Sequence, residues 1–183
     1  MARESSYVAL LRGINVGKSA RIQMAPLRAA LIDHGVNAVS TVVQSGNIVV
    51  TPWTKSASAL ATSIEEILVN QFAITARCLV QSREQLLSMV AENPLAPRAN
   101  VDNMLVVHFC DPPLEQSALS VLSIKGLDPN DVVVSHGALF QWCENGISNS
   151  PVVSPHLERQ LKVAVTARNW RTLNKIAELL NVE

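Results

Sequence analysis

The sequence predicts an α+β protein built from a tandem duplication of a ferredoxin-like βαββαβ plait, two antiparallel sheets with helices. Three observations carry this. The order strand, helix, strand, strand, helix, strand occurs twice within 183 residues. A stretch rich in Pro and Asn, Asn93-Pro94-Leu95-Ala96-Pro97-Arg98-Ala99-Asn100, separates the two copies. The copies end alike, with Val80-Gln81-Ser82-Arg83 before one helix and Val165-Thr166-Ala167-Arg168 before another, which is how an internal repeat shows itself. The expected division is a first subdomain with its linker helix at 1–92, a linker at 93–103, and a second subdomain with a C-terminal helix at 104–183.

In the first copy, Tyr7-Val8-Ala9-Leu10-Leu11 is an apolar run of strand length, and Met24 to His34 places Leu27 and Leu31 at helical spacing before the terminating Gly35. Val39–Val43 and Ile48–Thr51 flank Gln44-Ser45-Gly46-Asn47, a polar break with the composition of a hairpin. Ser58 to Phe72 is an amphipathic helix with Leu60, Ile64, Ile67 and Leu68 on one face, and Ala76–Val80 is the fourth strand. A helix over 83–91 opens with the capping box Ser82-Arg83-Glu84-Gln85. The second copy follows the same order. Its strands are Met104–Phe109, Val132–Ser135 and Leu139–Trp142 around His136-Gly137, and Leu161–Val165; its helices are Leu114–Leu122 and Ser154–Leu161. A last helix, Asn169–Leu180, turns Leu173, Ile176, Ala177 and Leu180 inward, and Trp170 is expected in the core.

Composition excludes several classes. With 48% apolar, 16% charged and 4% aromatic residues the chain is neither disordered nor collagen-like. Fifteen basic residues balance fifteen acidic ones, so no global charge draws it to nucleic acid or membrane. No apolar stretch approaches the roughly 20 residues of a membrane span, and no signal-like segment precedes the first strand, so a cytoplasmic location is expected. Cys78, Cys110 and Cys143 stand far apart without a Cys-x-x-Cys pair and are read as buried small apolar residues. The four histidines show no metal-ligand spacing, and His108, within a strand, is expected to be a satisfied core or interface side chain. Neither a metal nor a cofactor is indicated, and the oligomeric state is not encoded in any pattern.

The even balance hides a local asymmetry. Residues 1–28 carry a net charge of +4 and residues 159–175 a net +5. In a βαββαβ plait the loop leaving strand 1 and the hairpin between strands 2 and 3 emerge at one end. Arg12-Gly13-Ile14-Asn15-Val16-Gly17-Lys18 therefore lies beside Gln44-Ser45-Gly46-Asn47, and Arg12, Asn15, Lys18, Gln44, Ser45 and Asn47 become candidate ligand residues. The alternative is that Asn15, Ser45 and Asn47 serve only their turns. Gly13 to Ser19 imitates a Walker A phosphate loop but has three residues between its glycines where that motif needs four, and an antiparallel plait is the wrong setting for one. The second candidate group is Thr166, Arg168 and Asn169, placed at a strand-to-helix junction where helix N–H groups and guanidinium groups favour an anion. The alternative there is a simple helix cap.

These stretches carry a resemblance. Tyr7 to Gly17, Gln44 to Asn47 and Thr166-Ala167-Arg168-Asn169-Trp170-Arg171-Thr172 closely resemble, in order and spacing, three signatures of the bacterial "domain of unknown function 1697" family. The resemblance spans nearly the whole chain and implies two α/β-plait subdomains, but carries no activity with it. Gly146-Ile147-Ser148-Asn149-Ser150-Pro151 departs from the lysine-containing form of that family.

Three functions are weighed. Binding of a small anionic ligand, phosphate- or carboxylate-bearing, at a site between the subdomains needs only the donors named above. An enzyme acting on a phosphorylated or carboxylated metabolite, with Arg12, Lys18 and Arg168 as charge stabilisers and Ser45 or a bound water in the chemical step, would need a general base that neither motif region supplies. A nucleic-acid-binding module ranks last, because plait RNA readers stack bases on aromatic residues of strands 1 and 3, and here those strands hold one aromatic between them.

Overall fold

The computed structural model, which describes residues 5–15, 21–36, 39–98 and 104–181, forms two four-stranded antiparallel sheets with helices, as two similar subdomains. In the first, β1 (Ser5–Leu11), β2 (Val39–Val42), β3 (Asn47–Trp53) and β4 (Cys78–Ser82) lie in the order β2-β3-β1-β4. This is the plait order expected from the sequence. Ala9 pairs with Ile48 on one side and Val80 on the other. Ala9, Leu11, Ile48 and Val50 share one core with the helices, while Val8, Leu10 and Val49, on the opposite face, are buried too. Burial of both faces explains why this segment reads as a continuous apolar run and not as an alternation.

Helix α1 (Met24–Asp33) buries Met24, Leu27 and Leu31. It ends at Gly35, whose φ of +82° is a conformation glycine adopts without penalty; there the Val36 N–H donates to the Leu31 carbonyl at 2.9 Å, the long bond of a Schellman motif. Helix α2 (Ala57–Phe72) buries the expected Leu60, Ile64, Ile67 and Leu68 and starts where Ser56 Oγ accepts the Ala59 N–H at 3.1 Å. Before α3 (Arg83–Ala91), the Gln85 N–H donates to Ser82 Oγ at 3.2 Å and the Ser82 N–H to Gln85 Oε1 at 2.8 Å. That is the reciprocal capping box, worth roughly 0.5–2 kcal/mol at its serine.

The second sheet repeats the order as β6-β7-β5-β8, from β5 (Leu105–Asp111), β6 (Val132–Ser135), β7 (Ala138–Trp142) and β8 (Ala164–Asn169). One hydrogen bond marks the duplication. The Leu11 N–H donates to the Gly46 carbonyl and the Leu114 N–H to the Gly137 carbonyl, each at 2.8 Å, so each first-strand exit is tied to its own hairpin. Helix α5 (Ser154–Leu161) buries Leu157, and α6 (Trp170–Asn181) buries Trp170, Leu173, Ile176, Ala177 and Leu180. Trp170 meets Phe140 with ring centroids 6.5 Å apart.

Two expectations are corrected here. The helix expected over Leu114–Leu122 is the single turn α4 (Ala118–Val121). The backbone around it bonds three residues back, as in Ala118 N–H to the Glu115 carbonyl at 3.0 Å, and Ser120 Oγ donates to the Ser117 carbonyl at 2.7 Å, local bonding that competes with helix propagation. The last strand runs over 164–169 where 161–165 was expected. Helix α5 keeps Leu161 and stops at Lys162, in the left-handed region at φ +58°, and the ladder with β5 then carries the strand on to Asn169.

The chain divides into two units, Met1–Leu87 with Lys175–Glu183, and Ser88–Asn174. The boundary at Leu87 falls inside α3, and the end of α6 belongs to the first unit, where Arg83 Nε donates to the Leu180 carbonyl at 3.0 Å. Among the described residues no helix is long and apolar enough to cross a membrane.

All three cysteines are buried free thiols. Burial, helped by the Glu65 carboxylate, pushes the Cys78 thiol far up; burial and Glu158 push Cys110 up to about 12; burial raises Cys143. The thiolate is the reactive form. The folded protein is therefore expected to react with a thiol reagent at least ~100-fold more slowly than the urea-unfolded chain, which should titrate as three thiols. Stoichiometric labelling of native protein within minutes would contradict this.

Candidate functional site

The loop end of the first unit brings several expected residues together. As the plait topology requires, the exit of β1 meets the β2–β3 hairpin. Asn15, itself at φ +53°, donates from Nδ2 to the Gln44 carbonyl at 2.6 Å and to the Ile22 carbonyl at 2.9 Å, while its Oδ1 accepts the Ile22 N–H at 2.9 Å. One side chain thus closes the loop on itself and clamps it to the hairpin. Asn47 is fully buried and donates to the Val42 carbonyl at 2.9 Å and to Ser45 Oγ at 3.0 Å. These bonds give Asn15 and Asn47 the turn-stabilising work considered as the alternative reading. Lys18 lies outside the described residues.

Two open pockets flank this loop. One, of about 440 Å³, is lined by Asn15, Arg21, Ile22, Gln23 and Gln44. The other, of about 670 Å³, takes in Arg12 and Gly13 with Glu65, Glu66 and Arg77. Arg12 thus lines a different pocket from Asn15 and Gln44. Arg77 was not singled out from the sequence, although the argument that placed the hairpin beside Arg12 also places the start of β4 there. The Arg12 N–H donates to the Arg77 carbonyl at 2.9 Å.

The second motif has a different setting in its own unit. Thr166, Arg168 and Asn169 lie within β8, paired with Phe109, Val107 and Val106 of β5, and not past its end. Asn169 Oδ1 accepts the Thr172 N–H at 2.9 Å, an N-cap for α6. Thr166 and Arg168 are buried. Arg168 Nη1 donates to Thr166 Oγ1 at 2.9 Å and to the Ala167 carbonyl at 2.8 Å, and burial lowers the guanidinium to about 10. Even so it remains a cation at neutral pH.

A polar group that the sequence did not assemble lies in the same unit. His108 is buried, with Nδ1 2.9 Å from Ser154 Oγ and Nε2 3.0 Å from Gln141 Oε1. Gln141 Nε2 donates to the Pro151 carbonyl at 3.0 Å, so its Oε1 is the acceptor, the ring proton is assigned to Nε2, and Ser154 donates to Nδ1. Burial holds His108 down at about 4, a poor base for activating a serine at neutral pH. Its satisfied, buried state is the core alternative read from the sequence. His136, at φ +51° in the β6–β7 turn, places Nε2 3.3 Å from Glu92 Oε2. Among the described residues no three His, Cys, Asp or Glu side chains gather as a metal site.

A family model described as "Protein of unknown function (DUF1697)" matches residues 5–140, which span β1, its exit loop, the first hairpin and the second sheet into β7. The chain belongs to this family. The part of the DUF1697 match that bears on the site is the loop end just described; the β8 motif lies beyond its last residue. Among solved structures, a conserved bacterial protein, SP0830 from Streptococcus pneumoniae, is similar to this DUF1697 chain at 26% identity and a TM-score of 0.70, covering 97% of this chain and 99% of its own. No curated protein matches it.

Proposed function

We propose that the protein binds a small anion, carrying a phosphate or carboxylate group, in the pocket of Asn15, Arg21 and Gln44. The observation that supports this is the amino end of α1. The helix opens after Gln23 with no side-chain cap and no acidic residue in its first turn, and Gln23 and Ile22 line the pocket together with Arg21. The first N–H groups of a helix have no partner within it and carry roughly half a positive charge. Among the described residues this lining contains one cation, three amides and no carboxylate, so a single anionic group finds attraction without repulsion. In this reading Asn15 shapes the pocket, since its amide is committed to backbone on both sides, and Arg21 and Gln44 hold the ligand.

The test is thermal-shift screening with inorganic phosphate, sugar phosphates, nucleotides, citrate and short single-stranded RNA. A ligand at 100 times its Kd adds about 2.7 kcal/mol, a rise of roughly 5–10 °C in Tm for a chain of this size. Arg21→Ala and Gln44→Ala should each remove the response, and RNA should bind weakly and without sequence preference. A response to no anion, or one that survives Arg21→Ala, would contradict the reading.

A further inference from the structure

The larger cleft on the other side of the β1 exit has a different chemistry. It holds about 670 Å³, inside the range of small-molecule sites. Its ionisable lining is balanced: Arg12 and Arg77 line it together with Glu65 and Glu66. One pair of these charges is close, Arg77 Nε lying 4.0 Å from Glu65 Oε1. Glu65 is also fixed in place, because the same oxygen accepts the Cys78 N–H at 2.8 Å and so ties α2 to the start of β4. The bond between the Arg12 N–H and the Arg77 carbonyl sets the two arginines side by side, just past the end of β1 and just before the start of β4. Val69 of α2, half exposed at 49%, supplies an apolar wall.

A simple anion entering this cleft meets two carboxylates as well as two guanidinium groups, and a simple cation meets the reverse. Neither gains net attraction. A molecule carrying both charges a few ångströms apart gains from each pair at once. We propose that this cleft binds a small zwitterion of the α-amino acid or short-peptide class, its carboxylate toward Arg12 and Arg77, its ammonium group toward Glu66 and Glu65, and its side chain against Val69. Affinity should be modest, roughly in the high-micromolar to millimolar range, because Arg77 is 60% exposed and exposed charge pairs contribute little.

The probes are L-leucine and the dipeptide Ala-Leu, compared by calorimetry or ligand-observed NMR with N-acetyl-leucine, which keeps only the anion, and leucinamide, which keeps only the cation. At least one zwitterion should bind about tenfold more tightly than both blocked forms. Glu66→Gln, at an exposed position of α2, should weaken zwitterion binding about fivefold to tenfold without weakening N-acetyl-leucine, with an unchanged Tm showing that the fold is intact. Arg21→Ala should leave zwitterion binding unchanged, which separates this cleft from the anion pocket. Equal binding of blocked and free forms, or no binding of either zwitterion at 10 mM, would overturn the proposal whatever the anion screen shows.

Discussion

Replacing Gly46 by alanine should cost roughly 2–4 kcal/mol, a large share of the 5–15 kcal/mol that holds a typical domain together. Two effects add. Gly46 lies at φ +73°, where a Cβ meets its own carbonyl at roughly 1–2 kcal/mol. A Cβ there would also stand 2.6 Å from Ile14 Cδ1 and 2.7 Å from Leu11 Cβ. The Ile14 methyl can swing aside. Leu11 Cβ cannot, because it is fixed to the backbone of β1, whose N–H is bonded to the Gly46 carbonyl. Overpacking of this kind adds roughly 1–3 kcal/mol. Gly35→Ala provides the comparison: φ is +82° there, but nothing lies within 4 Å of the added carbon, so only the backbone penalty should appear. Gly137→Ala should resemble Gly46→Ala, since its Cβ would stand 2.6 Å from Pro113 Cβ. Urea midpoints at constant m-value measure all three. If Gly46→Ala falls within about 0.5 kcal/mol of Gly35→Ala, the close approach of hairpin and strand exit is not what this position protects.

What could be read from the sequence follows from how local each signal is. The Ser82–Gln85 capping box and the buried face of α2 are complete within one or four turns of chain, so spacing alone revealed them. The order of the strands and the meeting of Arg12's loop with Gln44's hairpin came from topology, which needs only the sequence of elements. Strand ends are different. Gln81-Ser82 and Thr166-Ala167-Arg168-Asn169 are mostly polar, yet they remain in β4 and β8 because β1 and β5 offer ladder partners as far as Tyr7 and Val106. A partner strand is invisible in local composition, so Arg168 was placed beyond a strand in which it lies. The same limit hid the His108–Gln141–Ser154 group, which exists only through the register of β5 against β7 and the start of α5. Arg77 stands outside any motif, yet the topology alone places it beside Arg12.

His108 should make the folded protein sensitive to mild acid. Its imidazole is buried, and the folded state holds it at about 4, against an ordinary value of 6.5. Burial is the main cause and opposes the charged ring; the Gln141 bond works the other way and is outweighed. Above pH 7 the ring is neutral folded or unfolded, and it contributes no pH dependence. As pH falls below 6.5 the unfolded chain takes up a proton that the folded chain refuses, so stability declines. The decline approaches 1.4 kcal/mol per pH unit, accumulates to about 3 kcal/mol near pH 4, and stops below that, where both states are protonated. Carboxylates titrate in the same window, so the informative quantity is a difference. His108→Gln keeps an amide able to bond Ser154 and Gln141 but has no proton to gain, and its stability should fall less steeply than that of the parent between pH 7 and pH 4.5. Urea unfolding across that range gives both slopes, and the His108 ring resonances give the midpoint directly. Parallel slopes, or a His108 midpoint near 6.5 in the folded protein, would mean that the buried ring is reached by water and that its bonds to Ser154 and Gln141 open in solution.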